Sequence, residues 1–314
     1  MATARRPSPE LIAAGLKAQL ERSSTFIGTV DPVAATQTYL RLVGLLEGRL
    51  EELRLKAGLR RVPRPHEYWL ARLPPARFAD SPVPSDRVFT YWNQPLETAP
   101  PLVQACVAQL RRVYPQAQVL DGSSARQLID IPDRIATLLE ADRPAHFSDY
   151  VRTRVLAEHG GLWFDATIWV DRPLDAELSG YLRAGTVFPR WTSTQIGNWF
   201  IASHPGTPLI TLQRLGLDCW WEANDDLPDY FLYHRIFDVM NRLVPEARGQ
   251  WRATPVLSSA EAHRLQLDMM QPWNEQRVRK LLTQAPLQKL SYKYDDVPAG
   301  SVLEHLLGTA GTSS

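Results

Sequence analysis

Cysteine is nearly absent from this chain of 314 residues, since Cys106 and Cys219 are the only two. Two thiols cannot form a disulfide framework or a cysteine-ligated zinc cluster, and this scarcity is typical of proteins in a reducing compartment. We therefore predict a cytoplasmic location. Lysine is also scarce, at five of the 35 basic residues, and a formal net charge of +1 argues against the basic field that nucleic-acid binding needs.

Long apolar runs are missing as well. No stretch approaches the roughly 18 uninterrupted apolar residues of a membrane-spanning helix. The first residues, MATARRPSPELIAAGLKAQL, contain no apolar core of signal-peptide length. The sequence therefore predicts no transmembrane segment. The seven histidines show no metal-binding spacing, and no G-x-S-x-G, Walker or G-x-G-x-x-G motif is present.

The pattern of apolar residues divides the chain into three parts. Residues 1–80 are predicted as a helical N-terminal extension with a proline-rich connector, including an amphipathic helix over 33–58. Residues 81–300 alternate short strands with helices, which is typical of an α/β domain with a largely parallel sheet. Residues 301–314 are predicted as a C-terminal tail. The predicted strands of the α/β domain are 87–92, 118–122, 161–170 and 197–202, and its predicted helices are 99–113, 123–140, 145–159, 208–223 and 229–243.

The stretch HFSDYVRTRVLAEHGGLWFDATIWVD, residues 146–171, places several polar residues near one predicted strand end. Asp149 and Arg152 share a helix face, and Gly160-Gly161 allows a tight reversal of the chain. Asp165 then follows the apolar LWF at the carboxyl end of a strand, where open α/β sheets bind ligands. A carboxylate there can hold a divalent cation or bond ribose hydroxyls. For each residue alone, a turn cap or a solvated ion pair is the alternative.

The pattern S-D-x-x-R followed by G-G-x-[aromatic]-x-D resembles the capsular polysaccharide synthesis proteins, relatives of the family 32 sugar transferases. TYWNQP (90–95), WWEANDDLPDYFLYHRIF (220–237) and LQKLSYK (287–293) are similar to further segments of that family. The resemblance covers about residues 85–295. It implies the GT-A fold, a Rossmann-like α/β sheet that binds a nucleotide-sugar and carries an Asp-x-Asp metal motif.

The resemblance implies roles for several donor-binding residues. Trp92 is expected to stack on the nucleotide base. Asp149 is expected to hold a ribose or sugar hydroxyl, with Arg152 orienting it and reaching the donor sugar. Trp163 stands where the family often has tyrosine. Asn198, at a predicted strand end, can bond sugar hydroxyls through its amide, with a buried structural role as the alternative.

The resemblance also implies a divalent cation, Mn²⁺ or Mg²⁺. Asp165 matches the first Asp of the metal motif, but Thr167 stands at the second, and Gln288 stands where the family has a histidine. Lys289 and Lys293 lie in a segment that closes over the diphosphate in the family. A lysine there stabilises the charge on the departing nucleotide, and exposed surface lysines are the alternative. The resemblance therefore implies Asp165, Arg152 and Lys289 as catalytic residues.

We expect a hexosyltransferase-like enzyme that moves a sugar from a nucleotide-diphosphate sugar to a saccharide or other hydroxyl acceptor, in capsular or surface polysaccharide synthesis. One alternative is a nucleotide-sugar-binding protein of the same fold that lost its chemistry with the second Asp. Another is a glycoside hydrolase that pairs Asp165 with an acid from residues 218–229, which needs two carboxyl groups about 5–9.5 Å apart.

Overall fold

The computed structural model describes residues 40–49, 52, 81–192, 195–228 and 230–310. The chain forms two compact units. The first contains the described residues of Met1–Pro75 together with Thr211–Arg252, and the second contains Ala76–Ile210 and Ala253–Ser314. Residues 40–49 are helical, in agreement with the helix predicted over 33–58. The rest of the predicted N-terminal extension, apart from residue 52, lies outside the described residues.

The strands are short and the helices vary from one turn to four. The strands are β1 Val88–Tyr91, β2 Gln118–Leu120, β3 Gly161–Phe164, β4 Ile168–Val170, β5 Thr186–Val187, β6 Pro189–Arg190, β7 Phe200–Ser203, β8 Leu257–Ser258 and β9 Leu287–Lys289. The helices with both ends described are α1 Pro101–Val113, α2 Gly122–Leu128, α3 Asp133–Leu139, α4 Pro144–His159, α5 Asp175–Tyr181, α6 Pro208–Ala223, α7 Leu232–Leu243, α8 Pro245–Ala253, α9 Arg264–Asp268, α10 Glu275–Gln284 and α11 Val302–Ala310. Short 3₁₀ turns occupy Leu96–Thr98, Leu182–Ala184 and Glu261–His263.

A mixed five-stranded sheet lies in the second unit, in the order β2-β1-β3-β7-β5. Strand β1 runs parallel to β2 and β3, whereas β7 runs antiparallel to β3 and β5. The predicted α/β class is confirmed, and the arrangement is consistent with a GT-A-like fold. The expectation of a largely parallel sheet is wrong for one half, because β3 and β7 pair side by side in opposite directions. Two small two-stranded sheets, β4-β9 and β6-β8, complete the strand pairing among the described residues.

Two predicted elements are each divided in the structure. The helix predicted over 123–140 is two helices, because Pro132 has no N–H to continue the first one and instead begins α3 as its N-cap. The strand predicted over 161–170 ends at Phe164, and a turn at residues 165–167 leads into β4. Asp165 therefore lies at the carboxyl end of β3, as the sequence predicts.

The predicted C-terminal tail also differs in the structure. Residues 302–310 form α11, whose Val302, Leu303 and Leu306 are buried in one apolar cluster with Leu102 and Cys106 of α1. Burying these side chains removes apolar surface from water, which stabilises the helix against the second unit. Residues 311–314 lie outside the described part.

The apolar core of the second unit surrounds the end of β3. Strand β3 is buried along its whole length, and Phe164 packs on Tyr114 and Phe200 with ring centroids 5.8 and 5.1 Å away. Helix α4 is buried on almost every side, which explains why it carries polar residues that face the protein rather than water. The core thus fixes both α4 and the end of β3. No helix in the described ranges is long and apolar enough to cross a membrane.

The double glycine makes the turn from α4 into β3. Gly160 has φ +68° and Gly161 has φ +118°, conformations that side chains rarely adopt. A Cβ on Gly160 would lie 2.6 Å from a Pro205 carbon, and one on Gly161 would lie 2.5 Å from the Arg87 carbonyl oxygen. Both positions therefore require glycine, and the turn brings the C-terminal end of α4 directly into the sheet.

Candidate functional site

Asp165 lies between two cations at the carboxyl end of β3. Its Oδ1 is 3.1 Å from Arg152 Nη2, and its Oδ2 is 2.9 Å from Lys289 Nζ. Trp163 Nε1 also donates to Oδ1, at 3.2 Å. Burial raises the pKa of the Asp165 carboxyl, but the charges of Arg152 and Lys289 and the hydrogen bonds outweigh burial and hold that pKa below its ordinary value. The carboxylate is therefore anionic at neutral pH, with 22% of its side chain exposed.

Helix α4 directs Arg152 at this carboxylate. Arg152 Nε donates to the Ser148 carbonyl oxygen at 3.2 Å, and Nη2 donates to Ser148 Oγ at 3.1 Å. The guanidinium also lies over the Trp163 ring, 5.3 Å from its centroid. The planar guanidinium has five fixed donors, so several bonds at once define its orientation. The predicted proximity of the helix and the strand end is confirmed.

Asp149 and Asn198 form a second polar pair beside Arg152. Asn198 Nδ2 donates to Asp149 Oδ1 at 2.7 Å, and the Asn198 carbonyl accepts from Arg152 Nη1. Asp149 also lies 3.6 Å from Arg152 Nη1 and 3.5 Å from Nδ1 of His146. Its side chain is only 10% exposed. Asp149, Arg152 and Asn198 thus form one hydrogen-bonded network, which the sequence alone does not show for Asn198.

Trp163 is a buried residue that contacts two members of the site, Asp165 and Arg152. The residue has no exposed surface, because it lies within β3 at the centre of the sheet. Its indole N–H bonds Asp165 and its ring contacts the guanidinium of Arg152. A side chain without exposed surface cannot stack on a ligand in this conformation. Trp163 is therefore placed to position Asp165 and Arg152.

The pairing of β4 with β9 brings Lys289 to the site. Ile168 lies opposite Lys289 in this antiparallel pair, and the Leu290 N–H donates to the Thr167 carbonyl at 3.0 Å. Lys289 Nζ then donates to Asp165 Oδ2 at 2.9 Å and to Thr167 Oγ1 at 2.7 Å. Successive side chains of a strand point to opposite faces, so Gln288 points away from Lys289.

Gln288 is fully buried, and its side-chain amide forms hydrogen bonds with the backbone. Its Oε1 accepts from the Leu265 N–H at 3.0 Å, and its Nε2 donates to the Ala285 carbonyl at 2.9 Å. A position that the resemblance suggests as a metal ligand is thus occupied by a side chain that ties β9 to the start of α9.

An aromatic pair lies near the same turn. Trp92, which follows β1, packs against an apolar cluster that contains Ala166, the residue after Asp165. Its ring meets Tyr292 edge to face, with centroids 5.7 Å apart, and Tyr292 is exposed. Tyr292 is a candidate that the sequence did not suggest, although it lies within LQKLSYK. The Lys293 side chain is exposed, and its backbone N–H donates to Ser291 Oγ.

His263 is a further residue that no motif indicates. It lies between two tryptophans, with its ring 4.6 Å from that of Trp191 and 5.6 Å from that of Trp199. Burial, together with the nearby charge of Lys289, lowers the pKa of His263, although a bond to the Ser259 carbonyl acts in the other direction. The Trp199 carbonyl accepts from the Asp165 N–H at 2.8 Å. A neutral, aromatic-lined imidazole therefore lies beside the charged centre.

The divalent cation that the resemblance implies fits this donor set poorly. Both carboxylate oxygens of Asp165 have cationic or N–H partners, and the Thr167 hydroxyl is bonded to Lys289. In the ranges that the structure describes, no three His, Cys, Asp or Glu side chains are grouped to hold a metal ion. A single charged ligand makes a weak site for a hard cation. The cation stays a prediction that these donors do not favour.

Comparison with known proteins gives one family match. A family model described as "Capsular polysaccharide synthesis protein" matches residues 77–306, which is more than half of the chain. A solved structure titled "PaToxG Glycosyltransferase" is similar at 13% sequence identity and a TM-score of 0.34, covering 71% of this chain and 92% of that chain. A search of curated proteins finds no match.

Proposed function

This chain belongs to the capsular polysaccharide synthesis protein family, and we propose that it transfers a sugar from a nucleotide-diphosphate sugar to a saccharide acceptor. The single observation that supports this most is the cluster at the end of β3. Two cations, Arg152 and Lys289, meet one carboxylate, Asp165, at the sheet edge where α/β folds bind ligands. The Lys289 side chain is 23% exposed, so its ammonium can bond a ligand that carries phosphate groups.

The polar network around Arg152 is proposed to hold the sugar part of the donor. Asp149 and Asn198 present a carboxylate and an amide, which together accept from and donate to hydroxyl groups. Arg152 contacts both Asp149 and Asp165, so a substitution in the pair that binds the sugar is also expected to disturb Asp165. Trp163 contacts both Arg152 and Asp165 and is proposed to keep their side chains in position.

The nucleotide base is proposed to lie against Trp92 and Tyr292. Trp92 Nε1 is buried without a hydrogen-bond partner in the described structure, whereas the Tyr292 ring is exposed. Aromatic faces stack on any base, so this pair does not select one base by itself. Lys293, one residue further along, is exposed, and its ammonium is proposed to pair with a phosphate of the donor.

In the proposed transfer, the bond between the sugar C1 and the diphosphate oxygen breaks. Its electron pair stays on the departing nucleotide diphosphate. The acceptor hydroxyl oxygen bonds to C1, and its proton passes to solvent. The charge that develops on the leaving diphosphate is what the protein must stabilise, and preorganised cations do this without reorganising during the reaction. Arg152 and Lys289 are preorganised in this sense, because both are already bonded to Asp165.

The decisive experiment offers the protein a panel of UDP-, GDP-, ADP- and CDP-sugars with saccharide acceptors. A donor at roughly 100 times its dissociation constant adds about 2.7 kcal/mol to the free energy of unfolding, so binding is detected as thermal stabilisation. Release of the nucleotide diphosphate that depends on acceptor supports a transferase. Stabilisation without any release would support the alternative, a binding protein of the same fold. Hydrolysis of a saccharide with no nucleotide present would support a glycoside hydrolase.

Asp165→Asn tests the site in the same assay. The amide keeps the size of the side chain but not the charge that pairs with Arg152 and Lys289, so we expect turnover to fall by about a hundredfold or more. The variant leaves Lys289 without Asp165 and Arg152 with Asp149 alone, which also lowers the stability of the fold, and circular dichroism with thermal melting separates the two effects. A folded variant that keeps most of its turnover would remove Asp165 from the mechanism. Asp171→Asn, at the end of β4 and exposed, is the matched control.

A further inference from the structure

The ammonium group of Lys289 lies between the two side chains that a metal motif would use. Its Nζ is 2.9 Å from Asp165 Oδ2 and 2.7 Å from Thr167 Oγ1. Asp165 and Thr167 occupy the first and last positions of the Asp-x-Asp-like motif. The two side chains that would bind a divalent metal therefore bind the Lys289 ammonium instead. The side chains of Lys289 and Asp165 are 23% and 22% exposed, which leaves this pair accessible to a ligand.

The backbone around Lys289 keeps the ammonium in this position. Strand β9 is held on one side by its ladder with β4 and by the bond from the Leu290 N–H to the Thr167 carbonyl. On the opposite face, buried Gln288 bonds the backbone of Leu265 and Ala285. Because the strand is already fixed, only the rotamer freedom of the Lys289 side chain is lost when its bonds form. The contact therefore follows from the strand register.

The ammonium keeps the capacity to bind a ligand. A lysine has three N–H donors, and two of them bond Asp165 and Thr167. No third partner of Nζ is found in the part of the chain that the structure describes. Arg152 lies on the other oxygen of Asp165 and also pairs with Asp149 at 3.6 Å, so two carboxylates balance the two cations and the unused N–H of Lys289 is what the site offers to a ligand. An anionic phosphate oxygen is the acceptor that forms the strongest hydrogen bond with such a partly exposed ammonium N–H.

We propose that Lys289 is the built-in cation of this site and takes the place of the divalent metal. Its third N–H bonds the diphosphate of the donor, and its charge stabilises the nucleotide diphosphate as the C1–oxygen bond breaks. Donor binding and transfer then need no metal ion. This inference rests on the proposed function and specifies how that function meets its largest electrostatic demand.

Calorimetry with the unmodified protein gives the first test and needs no variant. The probes are UDP, GDP and inorganic pyrophosphate, the last of which carries the diphosphate without a base. Each is titrated in excess EDTA and again in millimolar Mn²⁺. We expect at least one probe to bind in EDTA, with an affinity within about threefold of its affinity in Mn²⁺. Donor turnover in EDTA is expected to stay within the same factor.

Lys289→Met tests the residue itself. Methionine keeps the length of the stem but loses the charge, and hydrogen bonds to charged groups are worth about 10- to 100-fold in binding. We expect the affinity for pyrophosphate in EDTA to fall by that factor and Lys289→Arg to restore part of it. Lys280→Met removes an exposed lysine of α10 and is the matched control, with unchanged affinity.

The double variant Lys289→Met with Thr167→Asp converts one cation into the other. It removes the ammonium and supplies the second carboxylate, so two charged oxygens face the same space. We expect this protein to bind pyrophosphate well only when Mn²⁺ is present. Thermal melting in the absence of ligand shows whether each variant is folded before its affinity is compared.

The outcomes separate this inference from the proposed function. If the unmodified protein binds the probes or turns over donor only with Mn²⁺, the built-in cation is overturned and the transferase proposal stands. Binding in EDTA that Lys289→Met leaves unchanged in a folded protein also overturns it. If no probe binds in either condition and no nucleotide-sugar is turned over, the proposed function fails, and the inference fails with it.

Discussion

Arg152 divides its donors among neighbours on different elements of the fold. It bonds Ser148 on its own helix, the Asn198 carbonyl before β7 and the Asp165 carboxylate after β3. A residue with this many fixed partners cannot be replaced without releasing several groups at once. Lysine would keep the charge but could not reproduce the fork of bonds. At the scale of the residue, the site is therefore a hydrogen-bonded network. A single substitution in it measures the loss of several contacts together.

A double-mutant cycle on α4 tests this network. We expect Asp149→Ala and Arg152→Ala each to lower kcat/KM for the donor strongly, and the double variant to be scarcely worse than either. The two residues share Asn198 as a partner, so their effects should couple by about 1 kcal/mol or more. The measurement is kcat/KM for all four proteins. Additive losses would show that the two residues act separately.

Arg154→Ala provides the matched control for this cycle. Arg154 lies on the same helix, and its guanidinium packs on the Tyr150 ring and donates to the Asp130 carbonyl instead of reaching Asp165. Its effect should add to that of Asp149→Ala. Coupling of equal size in the control would mean that α4 as a whole, rather than the Asp149–Arg152 pair, produces the non-additivity.

At the scale of the element, the turn from α4 to β3 decides where Asp165 lies. Gly161 follows Gly160 with a second positive φ, and a Cβ at this position would lie too close to the Arg87 carbonyl oxygen. Strand β3 then pairs with β1 from Leu162 onward. A shift of one residue in this register would turn Asp165 away from Arg152, because strand side chains alternate.

Gly161→Ala is expected to lower the free energy of unfolding by about 2 kcal/mol or more. The added Cβ lies 2.5 Å from the Arg87 carbonyl oxygen, and the backbone angle is strained for alanine. The test is urea denaturation followed by fluorescence. Gly180→Ala is the control: it lies in α5 with no atom within 4 Å of its Cβ, so we expect no loss or a gain of about 0.5–1 kcal/mol. Equal effects would mean that the turn tolerates a side chain.

The elements also show what the sequence could and could not predict. Helices 99–113 and 145–159 and the position of Asp165 at a strand end were predicted well, because local periodicity and the double glycine determine them. The division of 161–170 into two strands is not predicted, although Asp165 and Thr167 interrupt the apolar run, because the separate partners of β3 and β4 appear only in the fold. A short polar interruption between two apolar runs does not by itself tell one strand from two.

The sequence predicts the site only in part, because some of its contacts are local and others join distant segments of the chain. The proximity of Asp149, Arg152 and Asp165 follows from one short stretch of sequence. The contact of Lys289 with Asp165 depends on β9, which is three residues long and pairs with β4 from far along the chain. The positions of Tyr292 and His263 likewise depend on tertiary contacts. The resemblance identified Lys289 as a candidate, but its bond to Thr167 comes from the fold alone.

At the scale of the whole molecule, each unit contains buried groups whose contribution to stability depends on pH, and the two directions are opposite. In the first unit, burial raises the pKa of Asp238 to about 6, although Arg242 and Arg235 act to lower it. The folded state then binds more protons than the unfolded state, and stability is lost as the pH rises towards and through 6. In the second unit, burial lowers the pKa of His204 and His263. The contribution of these two histidines to the free energy of unfolding is complete above their ordinary pKa and is lost as the pH falls through the lowered pKa.

Asp238→Asn isolates the contribution of the first unit. An amide does not titrate, so the variant avoids the cost of a buried charge above pH 6. We expect its stability relative to the unmodified protein to improve by about 1 kcal/mol between roughly pH 5 and pH 7.5. The variant also loses its ion pair with Arg242, so the readout is the change in relative stability between the two pH values rather than the stability at either one. Chemical denaturation at both pH values measures the difference. Asp225→Asn, at an exposed position of the same unit, is the matched control.

The bond between Asp165 and Lys289 joins positions 124 residues apart. A contact of such separation cannot form before both residues have been synthesised, and domains begin to fold from the N-terminal side during synthesis. Strands β1, β2 and β3 all precede residue 165, so they can pair while residue 289 is still to be added. Until then Asp165 has Arg152 as its charged partner and lacks the second cation. The order of translation therefore completes the charged centre last, and a chain released before β9 carries the sheet but not the finished site.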